Sequence, residues 1–201
     1  MVKRQPFECG IFEDMETAER YNEETKKRIQ YLSGSFVSVA KKWGTVTGHV
    51  LDVGTGTGLL AIELAKNIPD VEVIGLDLSD VALDVARTNL HELVQPSRVS
   101  LERGDAEDMP FEDGTFNLVV SSNTLHLITN PVRMFNEIHR VLKPEGRFFI
   151  SDFRRSWLGM VSRHIRAAYS PTEVKALLSQ SKLNNWKVND YFFWLSILSK
   201  N

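Results

Sequence analysis

The sequence has 201 residues, of which 42% are hydrophobic and 25% are charged, a composition typical of a globular protein and unlike that of a disordered one. The 24 basic and 26 acidic side chains give a formal net charge of −2, so the chain as a whole has no electrostatic attraction to nucleic acid or to an anionic membrane. A single cysteine, Cys9, excludes an intramolecular disulfide, and because the five histidines lack metal-ligand spacing we expect no metal site.

The residues up to Tyr21 lack the apolar core of a signal peptide, and no apolar stretch approaches the length of a membrane span. We therefore expect a cytoplasmic protein. The length fits one domain. We divide it into an N-terminal helical cap at 1–45, a cofactor-binding core at 46–152, and a segment of substrate-side helices with a terminal hairpin at 153–201.

The elements follow from hydrophobic periodicity. A charged stretch with apolar residues at helical spacing predicts a long helix from about Glu13 to Trp43. Short apolar runs predict strands at 49–53, 71–77, 98–102, 116–121, 147–152, 186–190 and 192–198. Capping residues predict helices between the strands that begin at about Gly58, Ser79 and Asn130. The helix from Asn130 should stop near 143–146. Further helices are expected at 156–168 and from Ser170. This alternation predicts an α/β protein with a Rossmann-like, doubly wound sheet.

A glycine-rich loop follows the first strand and precedes a helix. Gly54, Thr55, Gly56, Thr57 and Gly58 stand between HVLDV and LLAIELAK. Glycine lets the backbone turn sharply and lets a ligand approach, and the helix N-terminus favours a carboxylate or a phosphate. A tight turn without a ligand gives the same pattern.

Two carboxylates at strand ends favour the ligand site. Asp77 ends the second strand, where it can accept hydrogen bonds from both ribose hydroxyls of an adenosine, and Asp105 ends the third strand, where it can pair with an adenine amino group. NAD is the alternative ligand. Its fingerprint is G-x-G-x-x-G, whereas here the third glycine, Gly58, comes one residue early, which suits a smaller head group than a pyrophosphate.

With these motifs the sequence resembles the class I S-adenosylmethionine-dependent methyltransferases, in particular the branch that includes ubiquinone/menaquinone C-methyltransferases. The matching segments are VLDVGTGTG, GLD, GDAEDMPFEDGTFNLVVSSNTLHLI and EIHRVLKPEGRFFISD, which together span about 48–152. The resemblance implies S-adenosylmethionine as cofactor, with S-adenosylhomocysteine as product. It also implies seven strands in the order 3-2-1-4-5-7-6, with the seventh antiparallel.

The resemblance also implies roles for individual residues. Asp52 and the loop from Gly54 to Gly58 would lie along the methionine part, and Ser122 near its amino group. Asp77 and Leu78 would hold ribose, and Asp105 and Ala106 adenine. Tyr21, on the N-terminal helix, either reaches the cofactor or packs its ring against the helices of the sheet.

Candidates for the catalytic and substrate-binding residues lie at the ends of the fourth and fifth strands. His126 and Asp152 are candidates for a base, although a structural role is the alternative for each. Arg154 and Arg155 leave the fifth strand in a stretch, 153–172, that contains four arginines and no acid, and we expect one of them to bind an acidic group of the acceptor. In the same stretch, a helix at 156–168 would turn Leu158, Val161, Ile165 and Ala168 inward.

The sequence therefore predicts a methyltransferase that acts on a small, acidic molecule. Two alternatives remain open: a non-catalytic cofactor-binding subunit, and a nucleic-acid or protein methyltransferase that docks through its arginines. Nucleic acid is the less expected partner because the chain is acidic overall.

Overall fold

The computed structural model describes residues 2–6, 12, 14–44, 46–91 and 98–200. Cys9 and Glu13, which entered the predictions above, lie outside the described residues. The helices are α1 (Met15–Lys42), α2 (Leu59–Asn67), α3 (Asp80–His91), α4 (Pro131–Val141), α5 (Arg163–Ala167) and α6 (Pro171–Ser179). The strands are β1 (Gly48–Val53), β2 (Val71–Asp77), β3 (Val99–Arg103), β4 (Phe116–Ser122), β5 (Leu142–Phe153), β6 (Trp186–Asp190) and β7 (Trp194–Ser199).

All seven strands form one sheet in the order β3-β2-β1-β4-β5-β7-β6. The strands from β3 to β5 are parallel, and β7 pairs antiparallel with both β5 and β6. The predicted Rossmann-like fold and strand order are therefore confirmed. Because β1, β2, β3, β4 and β5 are parallel, their carboxyl ends lie at the same edge of the sheet.

Two hydrophobic cores lie on the two faces of the sheet. One contains Phe116, Phe135 and Ile138, where α4 covers β4, and the other contains Phe36 and Leu64, where α1 and α2 cover the opposite face. The ring of Phe36 contacts that of Phe149 on β5, with 4.4 Å between the centroids. The C-terminal half of α1 is thereby fixed to the sheet, and its N-terminal half extends toward the carboxyl edge.

Predicted helix starts agree with the observed caps. Ser79 accepts a hydrogen bond from the N–H of Ala82, and Asn130 accepts one from the N–H of Arg133 ahead of a proline in the first turn. Ser170 and Glu173 form a capping box at the start of α6. The start of β5 was predicted five residues late, since the strand already begins at Leu142 and pairs there with Phe116 before a register shift.

The single helix predicted at 156–168 is wrong. The chain forms a 3-10 helix at Trp157–Met160 and a separate short helix, α5, which Ser162 caps by accepting a hydrogen bond from the N–H of Ile165. Val161, expected to face inward, lies between the two and is 83% exposed. The apolar residues on either side of Val161 have the spacing of a single helix, but the cap at Ser162 begins a new helix between them.

Candidate active site

A cavity of about 580 Å³ opens at the carboxyl edge of the sheet, within the size range of small-molecule sites. Every predicted cofactor-binding residue except Gly58 lines it: Tyr21, Asp52, Gly54, Thr55, Gly56, Asp77, Leu78, Asp105, Ala106 and Ser122. Gly58 instead caps α2 in the left-handed region, at φ 77°. The other predicted residues therefore lie together around one cavity.

The glycine-rich loop bends over the end of β2. The N–H groups of Gly54 and Thr55 both donate to the carbonyl of Leu76, at 2.8 and 2.9 Å. Gly54 has φ 70°, and a Cβ built on it would lie 2.2 Å from Oγ1 of Thr124. Gly56 has φ 55°, but a Cβ there would meet open space. Gly54 is therefore required by both backbone conformation and close packing, and Gly56 by conformation alone.

Asp52 is a buried carboxylate at the base of the cavity. Its Oδ2 accepts a hydrogen bond of 2.8 Å from Oγ1 of Thr55, while its Oδ1 has no hydrogen-bond partner among the described residues. Burial, with a smaller contribution from the nearby charge of Asp77, raises the pKa of Asp52 to about 7, although the hydrogen bond from Thr55 opposes the shift. A cationic ligand would relieve this cost, because it favours the ionised form.

Asp77 and Asp105 lie on the cavity wall in different environments. Oδ2 of Asp77 accepts a hydrogen bond from the N–H of Gly56 at 2.8 Å, and its Oδ1 accepts one from the N–H of Ser79 at 3.0 Å. Burial raises the pKa of Asp77, and these two hydrogen bonds oppose the shift. Asp105 is exposed and accepts a hydrogen bond from the N–H of Glu107.

The wall after β4 contains one residue that sequence reasoning missed, Asn123, next to the predicted Ser122. Asn123 is buried and adopts a left-handed conformation at φ 58°. Among the described residues, neither its side-chain oxygen nor its nitrogen has a hydrogen-bond partner, and the same is true of Oγ of Ser122. Unpaired buried polar atoms cost stability, and these line the cavity, where a ligand can pair with them. Asn after a strand end was the available signal, since Asn tolerates this conformation.

The N-terminal half of α1 covers the cavity. Tyr21 lines it, its ring contacts that of Phe12 edge-on, and burial raises the pKa of its hydroxyl. The next residue, Asn22, exchanges two side-chain hydrogen bonds with Asn89 on α3, at 2.9 and 3.2 Å. Asn89 also donates to the carbonyl of Thr57 in the glycine-rich loop. The same amide network therefore holds the helix, α3 and the loop together.

His126 and Asp152 contact each other but do not line the cavity. The imidazole Nδ1 of His126 lies 2.7 Å from Oδ1 of Asp152, whose Oδ2 accepts a hydrogen bond from the backbone N–H of His126. Nε2 of His126 lies 3.0 Å from Nδ1 of His164, whose pKa is lowered to about 4, mainly by burial. The carboxylate favours the Nδ1–H form of His126. A role as base stays a prediction for this pair.

The proposed substrate role of Arg154 and Arg155 is not supported, because acids from distant segments pair with both. Arg154 forms an ion pair with Asp190 at the end of β6. Arg155 is buried, and its Nη2 lies 2.7 Å from Oε1 of Glu173 in α6. Neither arginine lines the cavity. The absence of acids between 153 and 172 did not leave them unpaired, since the fold supplies acids from elsewhere.

Across the described ranges, no group of three acidic, histidine or cysteine side chains is arranged to hold a metal ion. The same residues include no helix that is both long and apolar enough to cross a membrane.

The residues of the cavity fit S-adenosylmethionine, a compact sulfonium cation attached to an adenosine. Two carboxylates with raised pKa values suit a cation, and the loop before α2 leaves the N–H groups at the start of that helix near the cavity for an amino-acid carboxylate. The unpaired atoms of Ser122 and Asn123 offer further hydrogen bonds to a polar ligand.

Comparison with known proteins agrees with this fit. A family model described as "Methyltransferase domain" matches residues 45–190, so the chain belongs to that family. The predicted resemblance to S-adenosylmethionine-dependent methyltransferases, and with it the predicted cofactor, is confirmed.

Relatives with curated names include two quinone-related enzymes. The ubiquinone/menaquinone biosynthesis C-methyltransferase UbiE of Geobacter sp. (strain M21) is 34% identical over 107 residues, covering 53% of this chain and 46% of that protein. The demethylmenaquinone methyltransferase of Symbiobacterium thermophilum is 36% identical over 122 residues, covering 60% and 47%. The chain thus spans about half the length of the curated relatives it matches.

Among solved structures, a SAM-dependent methyltransferase from Aquifex aeolicus superposes with a TM-score of 0.72 at 20% identity, covering 92% of this chain and 97% of that one. At this identity the likeness supports the fold alone.

Proposed function

We propose that this chain transfers the methyl group of S-adenosylmethionine to a small molecule and releases S-adenosylhomocysteine. The observation that carries the proposal is the pair of carboxylates, Asp52 and Asp77, beside the glycine-rich loop on a cavity of about 580 Å³. The family match supports the same reaction. The cytoplasmic location and the division into cap, core and substrate-side segment stay predictions.

The cavity residues have these proposed roles. Asp77 and Leu78 hold the ribose, and Asp105 and Ala106 contact the adenine. The glycine-rich loop and Asp52 lie along the methionine part, and Ser122 contacts its amino group. Tyr21 covers the bound cofactor from α1. Each of these residues lines the cavity, which is what the proposal requires of them.

The sulfonium supplies a methyl group that is already activated, so the main task of the protein is positioning. The acceptor atom must lie in line with the carbon–sulfur bond that breaks, and the electron pair of that bond stays on sulfur. The helix α1, held by its amide network, covers the cavity on one side. A base is needed only where the acceptor atom carries a proton.

The non-catalytic alternative has less support. Tyr21 and Trp157 together would seal the site of a protein that only binds the cofactor, but Trp157 does not line the cavity and is 63% exposed. The acidic group expected on the acceptor is not retained, because Arg154 and Arg155 pair with Asp190 and Glu173. A nucleic-acid acceptor that docks through these two arginines loses support on the same observation.

The test is transfer of a labelled methyl group. The purified chain, labelled S-adenosylmethionine and a protein-free metabolite extract should give one or more labelled small molecules, which mass spectrometry identifies. The matched control is Asp77→Ala, which should strongly reduce the label when labelled S-adenosylmethionine is supplied near the Kd of the original chain. Binding of the cofactor without label in any small-molecule, protein or nucleic-acid fraction would favour the non-catalytic alternative.

A further inference from the structure

Large hydrophobic side chains are exposed mainly in two short segments of the chain. Among the described residues nine such side chains are exposed, and six of them lie at 157–161 and 191–193. We call these six the apolar edge patch: Trp157, Met160, Val161, Tyr191, Phe192 and Phe193, exposed by 63, 65, 83, 57, 70 and 44%. Single exposed apolar residues are common, but such a concentration indicates an interaction surface.

Both segments leave the sheet at its carboxyl edge. The first follows β5, and the second is the turn between β6 and β7. The N–H of Arg154, three residues before Trp157, donates to the carbonyl of Phe193 at 2.8 Å. The ion pair between Arg154 and Asp190 joins the same two segments. The apolar edge patch is therefore one region of the surface and shares its edge with the cavity.

Hydrogen bonds fix the backbone that carries these side chains. Arg166 donates to the carbonyls of Gly159 and Met160, at 2.6 and 3.1 Å, and so holds the 3-10 helix. At the other segment, the N–H of Tyr191 donates to the carbonyl of Trp194 at 2.9 Å and closes the turn. Since the backbone is held on both sides, exposure of the side chains is built into the fold.

Basic residues surround the same edge. The N-terminal segment 2–6 runs beside α5, where the N–H of Gln5 donates to the carbonyl of Arg166. We call Lys3, Arg4 and Arg166 the basic set. Arg4 donates to the carbonyl of Ala167 and lies 4.0 Å above the ring centroid of Tyr169. Arg166 donates only to uncharged oxygens among the described residues, those of Gly159, Met160 and Gln5.

Two acids of the described segments that adjoin the apolar edge patch are already paired. Asp190 pairs with Arg154, and Glu173 pairs with Arg155. The hydrogen bonds of Arg4 and Arg166 leave their positive charge in place, because carbonyl and amide oxygens do not neutralise it. Among the described residues, the surface beside the apolar edge patch is therefore positive, although the chain as a whole has a net charge of −2.

We propose that this edge docks on the surface of an anionic lipid bilayer, with the apolar edge patch inserted at the level of the headgroups. Trp, Tyr and Phe are side chains that favour this interface, and each basic residue near an anionic surface adds attraction. The apolar residues lie in two short exposed segments, one at a 3-10 helix and one in a turn, which suits shallow insertion. A second copy of the chain is disfavoured as the occupant, since two positive edges repel each other.

The experiment is co-sedimentation of the whole chain with vesicles of phosphatidylcholine containing 30% phosphatidylglycerol, in parallel with vesicles of phosphatidylcholine alone. The partition coefficient should be at least about tenfold higher for the anionic vesicles at low salt. It should fall toward the neutral value at about 0.5 M salt, because salt screens the attraction between the basic set and the lipid.

Two double variants separate the contributions. Trp157→Ala with Phe192→Ala should lower binding to anionic vesicles about tenfold or more, and Lys3→Gln with Arg4→Gln should reduce the preference for anionic lipid. The matched control is Tyr31→Ala, which removes a side chain that is 84% exposed on α1 and should change nothing. S-Adenosylhomocysteine binding should stay unchanged in all of them, which shows that the variants fold, since none of these residues lines the cavity.

The proposal is overturned if the chain fails to bind anionic vesicles, or if the Trp157 and Phe192 variant binds them as the original chain does. It is also overturned if the chain self-associates without binding vesicles and the same substitutions abolish the association, because the apolar edge patch is then an interface between copies. These outcomes do not depend on methyl transfer.

Discussion

The carboxylate of Asp77 accepts a hydrogen bond of 2.8 Å from the backbone N–H of Gly56. The residue that ends β2 is thus joined directly to the glycine-rich loop that follows β1. The carboxylate keeps further lone pairs for a ligand on the cavity wall.

Asp77→Ala should weaken the binding of S-adenosylhomocysteine more than tenfold, a loss of about 1.5–3 kcal/mol, because it removes a charged acceptor and a support of the loop. Calorimetric titration measures the change. Asp105→Ala is the comparison, and it should cost less because Asp105 is exposed. Equal affinity in a folded Asp77→Ala variant would exclude Asp77 from the binding site.

Asp52 should make the free protein less stable as the pH rises. Its pKa is 3.8 in the unfolded chain and about 7 in the folded one, so between these values the folded state binds more protons. The stability contributed by this group is complete below about pH 4 and decreases as the pH rises through 7.

Asp52→Asn should therefore stabilise the free protein at pH 8, by on the order of 4 kcal/mol at most, and have little effect at pH 4. Denaturant unfolding at the two pH values measures this. Asp105→Asn, an exposed acid on the same cavity, should not show the difference. An Asp52→Asn variant that is destabilised by the same amount at pH 4 and at pH 8 would contradict a raised pKa of Asp52.

Gly54→Ala should destabilise the protein much more than Gly56→Ala does. Both residues have positive φ, so both substitutions carry a conformational cost of about 1–2 kcal/mol. Only at Gly54 does the new Cβ meet another group, Oγ1 of Thr124 at 2.2 Å. Thermal unfolding compares the two variants, and Thr124→Ala should partly rescue Gly54→Ala. An equal loss of thermal stability in the two variants would show that Thr124 can move away from the new Cβ at Gly54 without an energetic cost.

Arg155→Met should lower the free energy of unfolding by about 1–3 kcal/mol, since it leaves Glu173 and the carbonyl of Ala168 without a buried partner. Arg154→Met should cost only about 0–1 kcal/mol, because both members of its ion pair are partly exposed. Urea unfolding gives both values. Cofactor affinity should not change in either variant. A large loss of affinity would show that the arginines contribute to the binding site after all.

Local patterns along the chain were sufficient for most of the fold. The caps at Ser79 and Asn130 and the apolar strands located the elements, and the strand-end acids Asp77 and Asp105 located the cavity. These signals are local, so one sequence contains them. The strand order came from the resemblance.

The errors concern contacts between distant segments. Arg155 lies 18 residues before Glu173, and Arg154 pairs with a residue on β6, so nothing in the stretch 153–172 indicated that either arginine is neutralised. The contact between His164 and His126 is also one between distant segments, and no local pattern in the sequence indicated it. For Asn123, the conformation and the missing partners become visible only in the folded structure.

The most direct test of the account is a calorimetric titration of the purified chain with S-adenosylmethionine, S-adenosylhomocysteine and NAD. The account predicts micromolar affinity for the first two and none for NAD. It also predicts that S-adenosylhomocysteine at a hundredfold excess over its Kd raises the stability by about 2.7 kcal/mol. Binding of NAD in preference to S-adenosylmethionine, or binding of neither, would contradict the account.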